Sequence, residues 1–355
     1  MTDHVIDLRS DTLSMPNEEM LRSILTAKLG DDSRDGDPTV MELEALSAKM
    51  MGNEAALLTV SGTMSNLVAM RTHTNPGAAA IVEMSAHLYH MEFGGIAAAA
   101  GLLVLPVPGN LGAIALDPLK TVARKSGTGF PNRGMLCLEN THNAAGGTVI
   151  APEHIDRCCE IAHAEGMPVH LDGARIFNAA VALKVNPSRI TRSVDSVSFC
   201  LSKGLSAPVG SLLAGSAEFI DRARKVRRAL GGTMRQAGII AAPGLVALRT
   251  MIDRLAEDHA NARLFATSIA NIDGLDINLD SVQTNIINVD VRGLNIDAAT
   301  FAKHLDARKV RGLPGMGTVI RFVTYRNISR SDVVQAADAV REMAAERPWA
   351  KSAAK

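Results

Sequence analysis

The chain has 355 residues and equal numbers of basic and acidic residues, 37 of each, so it carries no net charge that would attract nucleic acid or an anionic membrane. Hydrophobic residues make up 47% and charged residues 21%, which is typical of a globular protein, and an aromatic share of 3% argues against base-stacking or sugar-stacking surfaces. The length favours one large domain with a smaller one attached.

The N-terminus and the cysteines together predict a cytoplasmic protein. The opening residues MTDHVIDLRSD are charged and lack the apolar core of a signal peptide, and the longest apolar stretches are too short and too interrupted to span a membrane. The four cysteines show no CxxC spacing, which favours reduced, buried thiols and predicts no metal site made of His and Cys ligands. A cation site made only of oxygen ligands stays open, because it leaves little trace in a sequence.

Short apolar runs alternate with longer amphipathic segments over the first 230 residues. Several of the runs are apolar at consecutive positions, as expected for strands that are covered on both faces. The predicted strands are EAALLTV, AAIVEM, LLVLPV, MLCLEN, MPVHLD, VDSVSFCLS and GSLLAG, and the predicted helices cover residues 39–51, 64–73, 118–125, 152–165 and 217–230. This alternation predicts an α/β domain with a mainly parallel sheet and helices on both faces.

The pattern changes after Gly232. Residues 234–272 predict one long helical stretch with a kink at Pro243, because proline removes a hydrogen bond inside a helix. A strand TNIINVDVRG, a helix over 298–308, a strand TVIRFVTY and a final helix from Ser331 follow, and they predict a small α+β unit. We therefore expect a large domain over residues 1–250, whose first dozen residues form an extended arm, and a small C-terminal domain over 251–355.

Two charged residues stand at the ends of neighbouring predicted strands. Asp172 ends the run VHLD, and Lys203 lies in SFCLSKGLSAPVGS without a charged neighbour. Ligands of doubly wound folds collect at the carboxyl ends of strands, although a helix cap would explain Asp172 equally well on its own. Together the two residues suit pyridoxal phosphate, because a lysine bonds to its aldehyde and an aspartate keeps its ring nitrogen protonated.

Two further segments are consistent with that cofactor. Ser61, Gly62 and Thr63 follow a predicted strand and precede a helix, so their backbone N–H groups could bind a phosphate. A simple Ser or Thr helix cap is the commoner explanation of such a segment. His87 follows the strand AAIVEM and could stack on the pyridine ring, whereas a lone histidine in this position is more often structural.

Seven stretches of the sequence carry a resemblance to a known family, and they occur in the family's order: IDLRSDT, GDD…GDPTV, EAALLTVSGTMSN, LENTHN, VHLDGARIFNAAV, SFCLSKGLSAPVGS and GGTMRQAGIIAAPG. The chain resembles, over nearly its whole length, the low-specificity threonine aldolases in the beta-eliminating lyase group of fold-type I pyridoxal phosphate enzymes. The resemblance implies an aspartate aminotransferase-like large domain. It also implies retro-aldol cleavage of L-threonine, L-allo-threonine or a related β-hydroxy-α-amino acid to glycine and an aldehyde.

The resemblance also implies roles for individual residues. Residues assigned to the cofactor are Ser61, Gly62, Thr63, His87, Asp172, Arg175, Ser202, Lys203 and Arg235, of which Lys203 would attach it covalently and Arg235 would reach a phosphate in a neighbouring subunit. Residues assigned to the substrate are Ser10, Arg34, Arg175 and Arg321. Arg175, which we expect on the helix that opens after Asp172, would bind the substrate carboxylate with Ser10 and Arg321. His87, His142 or a water that they hold would be the catalytic base.

Two residues depart from the family pattern. Arg34, in GDDSRDGDPTV, stands where the family has a tyrosine that reaches an active site, and Tyr325 stands where the family often has a histidine. A cation at position 34 would favour a substrate with a second carboxylate, such as 3-hydroxyaspartate. A loop that merely packs differently explains the same change.

Two other classes of function stay open. The same cofactor would also support β-elimination, racemisation, transaldolation or aldolysis of phenylserine, which product analysis separates. A non-catalytic binding protein with this fold is a further alternative, against which the set of Asp172, Arg175 and Lys203 argues. The resemblance also implies a homotetramer built from dimers with shared active sites, acting on a small molecule without nucleic-acid or membrane partners.

Overall fold

The computed structural model describes residues 4–124 and 132–349. The chain divides into two compact units: unit 1 comprises Met1–Ser14, Ala145–Thr148 and Arg254–Lys355, and unit 2 comprises Met15–Ala144 and Val149–Asp253. The division therefore lies between Asp253 and Arg254, and the N-terminal segment is grouped with the C-terminal residues.

The strands and helices are numbered in chain order. The strands are β1 (Ile6–Asp7), β2 (Ala55–Thr59), β3 (Ala79–Glu83), β4 (Leu103–Val107), β5 (Gly109–Asn110), β6 (Ala113–Ile114), β7 (Arg133–Glu139), β8 (Val169–Asp172), β9 (Ser196–Cys200), β10 (Ser211–Gly215), β11 (Ile286–Asp290), β12 (Val310–Arg311), β13 (Leu313–Pro314) and β14 (Val319–Val323). The helices are α1 (Glu18–Thr26), α2 (Pro38–Met51), α3 (Gly62–His73), α4 (His87–His90), α5 (Gly95–Ala98), α6 (Leu116–Ala123), α7 (Pro152–Ala164), α8 (Ile176–Leu183), α9 (Pro187–Ile190), α10 (Ala217–Ala229), α11 (Gly238–Thr250), α12 (Leu255–Ile269), α13 (Ala298–Asp306) and α14 (Arg330–Glu346).

Unit 2 contains a seven-stranded sheet in the order β2-β10-β9-β8-β7-β3-β4. Pairing is parallel from β4 through β9, and β10 runs antiparallel to both of its neighbours. The prediction of a mainly parallel sheet is confirmed. Because the carboxyl ends of β7, β8 and β9 lie at the same edge, the residues after these strands are brought together there.

Helix α3 packs on this sheet through apolar side chains. Val68 packs with Leu57 and Leu213, while Met70 belongs to a second cluster with Val82. The side chain of Ser61 accepts a hydrogen bond from the N–H of Met64 and caps the helix. The packed and capped helix thus fixes the orientation of its N-terminus at the edge of the sheet.

Unit 1 is a small α+β unit, as predicted. The strands β11, β14 and β13 form an antiparallel sheet, and β1 pairs with β12 in parallel. An apolar core contains side chains from the sheet and from α12, α13 and α14, among them Phe265, Phe301, Phe322 and Val340. Tyr325 is also buried there, and its hydroxyl donates to the carbonyl of Asp7 at 2.9 Å.

The prediction of one long helix over residues 234–272 is wrong. The chain forms α11 and α12 instead, and the interruption lies between them rather than at Pro243, which α11 accommodates. The apolar residues Leu245 and Leu248 belong to unit 2, whereas Phe265 and Ile269 belong to the core of unit 1. Helical periodicity alone does not reveal that the two halves are buried in different cores.

Several other elements differ in detail. Helix α6 ends at Ala123, and Lys125, the predicted end of that helix, lies outside the described residues. Helix α1 and the hairpin of β5 and β6 were not predicted from the sequence. All four cysteines are free and buried, as predicted. Among the described residues, none of the helices combines the length and the apolar content needed to cross a membrane.

Candidate active site

A cavity in unit 2 opens where β7, β8 and β9 end and where α3 begins. The predicted site residues that line it are Ser61, Gly62, Thr63, His87, Asp172, Arg175, Ser202 and Lys203. Its other lining residues are Asn66, Glu92, Glu139, Thr141, Asn143, Ala174 and Cys200. The structure therefore brings together eight of the candidates that the sequence offered, from segments far apart in the chain.

Lys203 lies in a tight turn that follows β9. The N–H of Ser206 donates to the carbonyl of Lys203 at 2.8 Å, and the N–H of Ala207 donates to the carbonyl of Leu201 at 3.0 Å. Ser206 has φ 64°, a left-handed conformation that closes the turn. These bonds fix the backbone from which the Lys203 side chain reaches the cavity.

Asp172 is the last residue of β8 and is 3% exposed. Its Oδ1 accepts from the N–H of Ala174 at 3.0 Å, and its Oδ2 accepts from Nδ2 of Asn66 at 2.9 Å. Burying a carboxylate is costly unless its oxygens receive hydrogen bonds, and both oxygens receive one here. The hydrogen bond to Ala174 closes a local turn before α8 begins at Ile176, so Asp172 does not cap that helix.

The start of α3 is suited to an anion. The N-terminus of a helix carries partial positive charge and exposes backbone donors. A Cβ atom added at Gly62 would lie 2.8 Å from Sγ of Cys200, so the close packing of α3 on β9 requires glycine there. Ser61 caps the helix, as the simpler interpretation predicts, and it also lines the cavity.

These groups fit pyridoxal phosphate. The cavity presents an amine, a buried carboxylate, an imidazole and a helix N-terminus, on Lys203, Asp172, His87 and α3 respectively. Each matches one part of the cofactor: the aldehyde, the ring nitrogen, the ring face and the phosphate.

His87 begins α4 and is held at two atoms. Its backbone N–H donates to Oε2 of Glu139 at 2.7 Å, and its Nδ1 donates to Oε1 of Glu92 at 3.2 Å. Burial lowers the pKa of His87, but the hydrogen bond to Glu92 and the charges of Asp172 and Glu139 raise it, and the net pKa lies above its ordinary value. The imidazole is therefore oriented by a carboxylate.

A possible metal cluster lies in the same place. A ring nitrogen of His87 and one carboxylate oxygen each of Glu92 and Asp172 lie within 4.8 Å of one another. The sequence analysis did not predict this cluster, because Asp172 lies 80 positions after Glu92 in the chain. Since His87 and Asp172 are also the groups that fit the cofactor, a metal ion and the cofactor would compete for this position.

His142, predicted as a candidate base, is not among the described residues that line the cavity. Its side chain is 1% exposed, and its Nε2 donates to Oε2 of Glu83 at 3.0 Å. The backbone at Gly112 covers the ring, since a Cβ there would lie 2.3 Å from Cγ of His142. The structure therefore places His142 outside this cavity, and its role as a catalytic base stays a prediction.

The buried carboxylate Glu139 connects His142 with the cavity. Oε2 of Glu139 lies 3.7 Å from Nε2 of His142 and accepts from the backbone of His87, while Oε1 accepts from the N–H of Asn143 at 2.8 Å. Asn143 in turn accepts from Nη1 of Arg175 at 3.2 Å through its Oδ1. Glu139 thus holds the backbone of Asn143, whose side chain orients Arg175.

Arg175 lies at the N-cap of α8, just before the helix rather than on it as predicted, and it is 6% exposed. Arg34 and Arg235 do not line the cavity of their own chain among the described residues. They lie together beside Asp31, with their Nε atoms 3.9 Å and 3.5 Å from its Oδ2. Arg34 is 80% exposed, so its loop presents the guanidinium to the outside of this chain.

Ser10 and Arg321 belong to unit 1. Nη2 of Arg321 lies 3.5 Å from the carbonyl of Arg9, and the side chain of Ser10 caps the short helix Asp11–Leu13. The two residues are therefore adjacent within that unit. Their predicted action on the same substrate as Arg175 stays a prediction.

Sequence reasoning missed five polar residues of the cavity: Asn66, Glu92, Glu139, Thr141 and Asn143. A signal existed for Asn66, which stands four residues after Gly62 and therefore on the same face of α3. Glu139 and Asn143 lie in the stretch LENTHN, of which only His142 was selected. Glu92 gave no signal, because it lies between α4 and α5, outside any element that the sequence predicts.

Comparisons with known proteins agree with the fold and with the family that the sequence resembles. The family model described as beta-eliminating lyase matches residues 7–292. Low-specificity L-threonine aldolase 1 of Arabidopsis thaliana is 39% identical over 92% of this chain and 93% of its own length, and low specificity L-threonine aldolase of Escherichia coli K12 is 38% identical over 94% and 97%. The solved threonine aldolase of Leishmania major superposes with a TM-score of 0.80 at 15% identity, covering 96% of this chain and 99% of that one.

The contact of His142 with Glu83 predicts how stability depends on pH. Burial lowers the pKa of His142, but the hydrogen bond to Glu83 and the charges of Glu139 and Glu83 raise it to a net value above 6.5. The stabilisation that protonated His142 contributes is therefore complete below the pKa that His142 has in the unfolded chain. It is lost as the pH rises through the higher pKa that His142 has in the folded protein. We expect the free energy of unfolding to fall above pH 6.5, and to fall less steeply in His142→Asn.

Urea unfolding at a series of pH values between about 6 and 9 measures this slope. The control is Thr191→Val, which removes buried hydrogen bonds without changing a titratable group and should leave the slope unchanged. Equal slopes for wild type and His142→Asn would contradict the prediction.

Proposed function

This chain belongs to the beta-eliminating lyase family, and we propose that it is a pyridoxal phosphate-dependent aldehyde-lyase that cleaves L-threonine, L-allo-threonine or a related β-hydroxy-α-amino acid into glycine and an aldehyde. The observation that carries the proposal is the convergence of Lys203, Asp172 and the N-terminus of α3 on one cavity. These groups lie in segments that the matched family region contains in full.

Four groups would hold the cofactor. The amine of Lys203 would bond to its aldehyde, Asp172 would pair with its ring nitrogen, the segment Ser61–Thr63 would bind its phosphate, and His87 would lie on the ring face. When bound, pyridoxal phosphate supplies the electron sink for the electron pair of the broken Cα–Cβ bond.

His87 is the base that the geometry supports best. Nδ1 of His87 donates to Glu92 at 3.2 Å, and in the neutral form of the ring Nε2 then keeps a lone pair that can accept the proton of the substrate's β-hydroxyl. His142 is buried against Glu83 and Glu139 instead. Proton removal by His87, directly or through a water, is the role that we assign to it.

Arg175 would bind the substrate carboxylate. Its guanidinium lines the cavity and is oriented by Asn143, and arginine makes paired, charge-assisted hydrogen bonds with carboxylates. We propose, on the family resemblance alone, that Arg321 and Ser10 also bind the substrate carboxylate. A fixed carboxylate sets which substituent of Cα is aligned for cleavage.

A substrate with a second carboxylate is the other candidate, and Arg34 supports it. The side chain of Arg34 is 80% exposed and lies 3.9 Å from its nearest carboxylate, so it is available to another group. If its loop reaches the active site of a neighbouring subunit, a 3-hydroxyaspartate would gain a charge-assisted contact that threonine lacks.

The homotetramer with shared active sites is part of this proposal. Leu21 and Leu25 of α1 are 51% and 87% exposed, which supports a buried interface on this face. A cytoplasmic location is also proposed, supported by four buried thiols that form no disulfide.

Replacing Lys203 tests the proposal. We expect the wild type to release glycine from threonine, allo-threonine, phenylserine or a 3-hydroxyaspartate, and to absorb visible light after reconstitution with the cofactor. Lys203→Ala should lose the visible band and at least about three orders of magnitude in turnover, because the covalent attachment is lost. The control is Lys225→Ala, an exposed position on α10. An active Lys203→Ala that keeps the band would refute the assignment, and a keto acid product would identify β-elimination.

Arg321→Ala tests the proposed role of Arg321 in substrate binding. A charge-assisted hydrogen bond contributes about 1.5–3 kcal/mol, so we expect KM for the amino acid to rise by about 10- to 100-fold. The cofactor dissociation constant should stay near the wild-type value. Equal losses in substrate and cofactor affinity would mean that Arg321 has only a structural role.

Mixed dimers test the sharing of sites. Lys203→Ala and Arg235→Ala should each be inactive alone, whereas mixing them should restore up to about a quarter of wild-type activity, because half of the dimers are mixed and hold one intact site. Activity that stays at the level of the separate variants would place Arg235 in its own chain's site or outside any site.

A further inference from the structure

The side-chain amide of Asn66 is the junction of a buried polar network under the cavity. Asn66 is 2% exposed, and its Nδ2 lies 2.9 Å from Oδ2 of Asp172 and 3.0 Å from Oε1 of Glu92. Its Oδ1 lies 3.1 Å from Nε2 of His170 and 2.8 Å from Oγ of Ser198. The amide has two hydrogens and two lone pairs to offer, and all four are used.

The chemistry of the partners fixes the direction of every bond. The carboxylate oxygens of Asp172 and Glu92 accept, so the amide nitrogen faces them and the amide oxygen faces His170 and Ser198. The oxygen can only accept, and therefore Nε2 of His170 carries a hydrogen and the hydroxyl of Ser198 donates. The ring of His170 is fully buried, and its nitrogens contact an amide oxygen and a hydroxyl rather than a carboxylate, so the neutral ring is favoured. Its Nδ1 is then an acceptor.

The network continues below His170. Nδ1 of His170 lies 2.8 Å from Oγ of Ser196, which must donate to it, and the same oxygen lies 2.7 Å from Nε2 of His73. His73 consequently donates to Ser196. In this series of hydrogen bonds, which runs from His73 through Ser196, His170 and Asn66, each donated hydrogen points towards Asp172. Bonds aligned in this way polarise one another and strengthen the last one.

This network does not conduct protons, because an amide nitrogen does not readily release or accept one. Its physical effect is to hold Asp172 as a hydrogen-bond acceptor at a fixed position. It acts on His87 as well, since Oε1 of Glu92 accepts from both Asn66 and Nδ1 of His87. The other oxygen of Glu92, Oε2, is buried without a hydrogen-bond partner in the described part of the chain, so the bonds to Oε1 carry the positioning of this carboxylate.

We propose that Asn66 and His170 are positioning residues that set the hydrogen-bonding state of Asp172 and, through Glu92, that of His87. The inference rests on the proposed function, because it takes Asp172 as the partner of the cofactor's ring nitrogen. Asn66 orients both groups from one amide, and His170 fixes which way that amide faces. Neither residue is required to touch the substrate.

Three variants and one control separate positioning from packing. Asn66→Asp keeps the shape but has no N–H to donate and adds a third carboxylate beside Asp172 and Glu92. His170→Gln keeps a donor that can reach Oδ1 of Asn66, whereas His170→Leu keeps the apolar volume without a donor. The control is Thr191→Val, which removes buried hydrogen bonds to the carbonyls of Met51 and Pro187, away from the cavity.

The measurements are the dissociation constant of pyridoxal phosphate from the apoprotein, the pH profile of the holoprotein's visible absorbance, and the melting temperature. For Asn66→Asp we expect at least about a tenfold weaker cofactor affinity and a pH profile moved by at least about one unit, since like charges cannot all stay ionised in a buried site. His170→Leu should weaken the cofactor affinity by at least about threefold and should move the pH profile in the same direction as Asn66→Asp does. His170→Gln should stay near wild type in both measurements. Thr191→Val should lower only the melting temperature.

Wild-type affinity and pH profile in both Asn66→Asp and His170→Leu would overturn the inference while leaving the proposed function in place. Equal effects of His170→Gln and His170→Leu would also overturn it, because packing alone would then explain the loss. If Asn66→Asp does not fold, the comparison of the two His170 variants decides. A wild-type protein that fails to bind pyridoxal phosphate would reject the proposed function itself, and this inference with it.

Discussion

A buried carboxylate at the end of a central strand must receive hydrogen bonds or meet a positive charge, and the site is built around this requirement at Asp172. The side chain is 3% exposed, and its oxygens accept from the backbone of Ala174 and from Asn66. Those bonds keep the carboxylate in place at the cavity wall. A protonated ring nitrogen in the cavity would then complete its interactions, which is the electrostatic basis of the proposed cofactor site.

The rest of the site follows from the topology of the sheet. Strands β7, β8 and β9 are parallel neighbours, so Glu139, Asp172 and the turn containing Lys203 come to one edge. The sequence could predict this part, because apolar strands that end in a charged or small residue are visible without a structure. It could also predict the start of α3, where Ser61 and Gly62 follow a strand and precede a helix. The mainly parallel sheet and the small α+β unit were predictable for the same reason.

The polar contacts could not be predicted, because they join residues that are far apart in the chain. Asn66 and Asp172 are separated by 106 positions, and His142 and Glu83 by 59. His142 looked like a catalytic base because it follows a strand, yet the packing of Gly112 on its ring turns it into a buried support. Likewise, a pattern of apolar residues continues from α11 to α12, and only the separate cores reveal that the chain forms two helices there.

Chemical mapping of the cofactor attachment tests the central claim most directly. The purified protein, loaded with pyridoxal phosphate, would be reduced with borohydride, digested and examined by mass spectrometry. The account predicts one modified peptide, with the pyridoxyl group on the lysine of the segment SFCLSKGLSAPVGS. Modification of a different lysine, or of none, would contradict it.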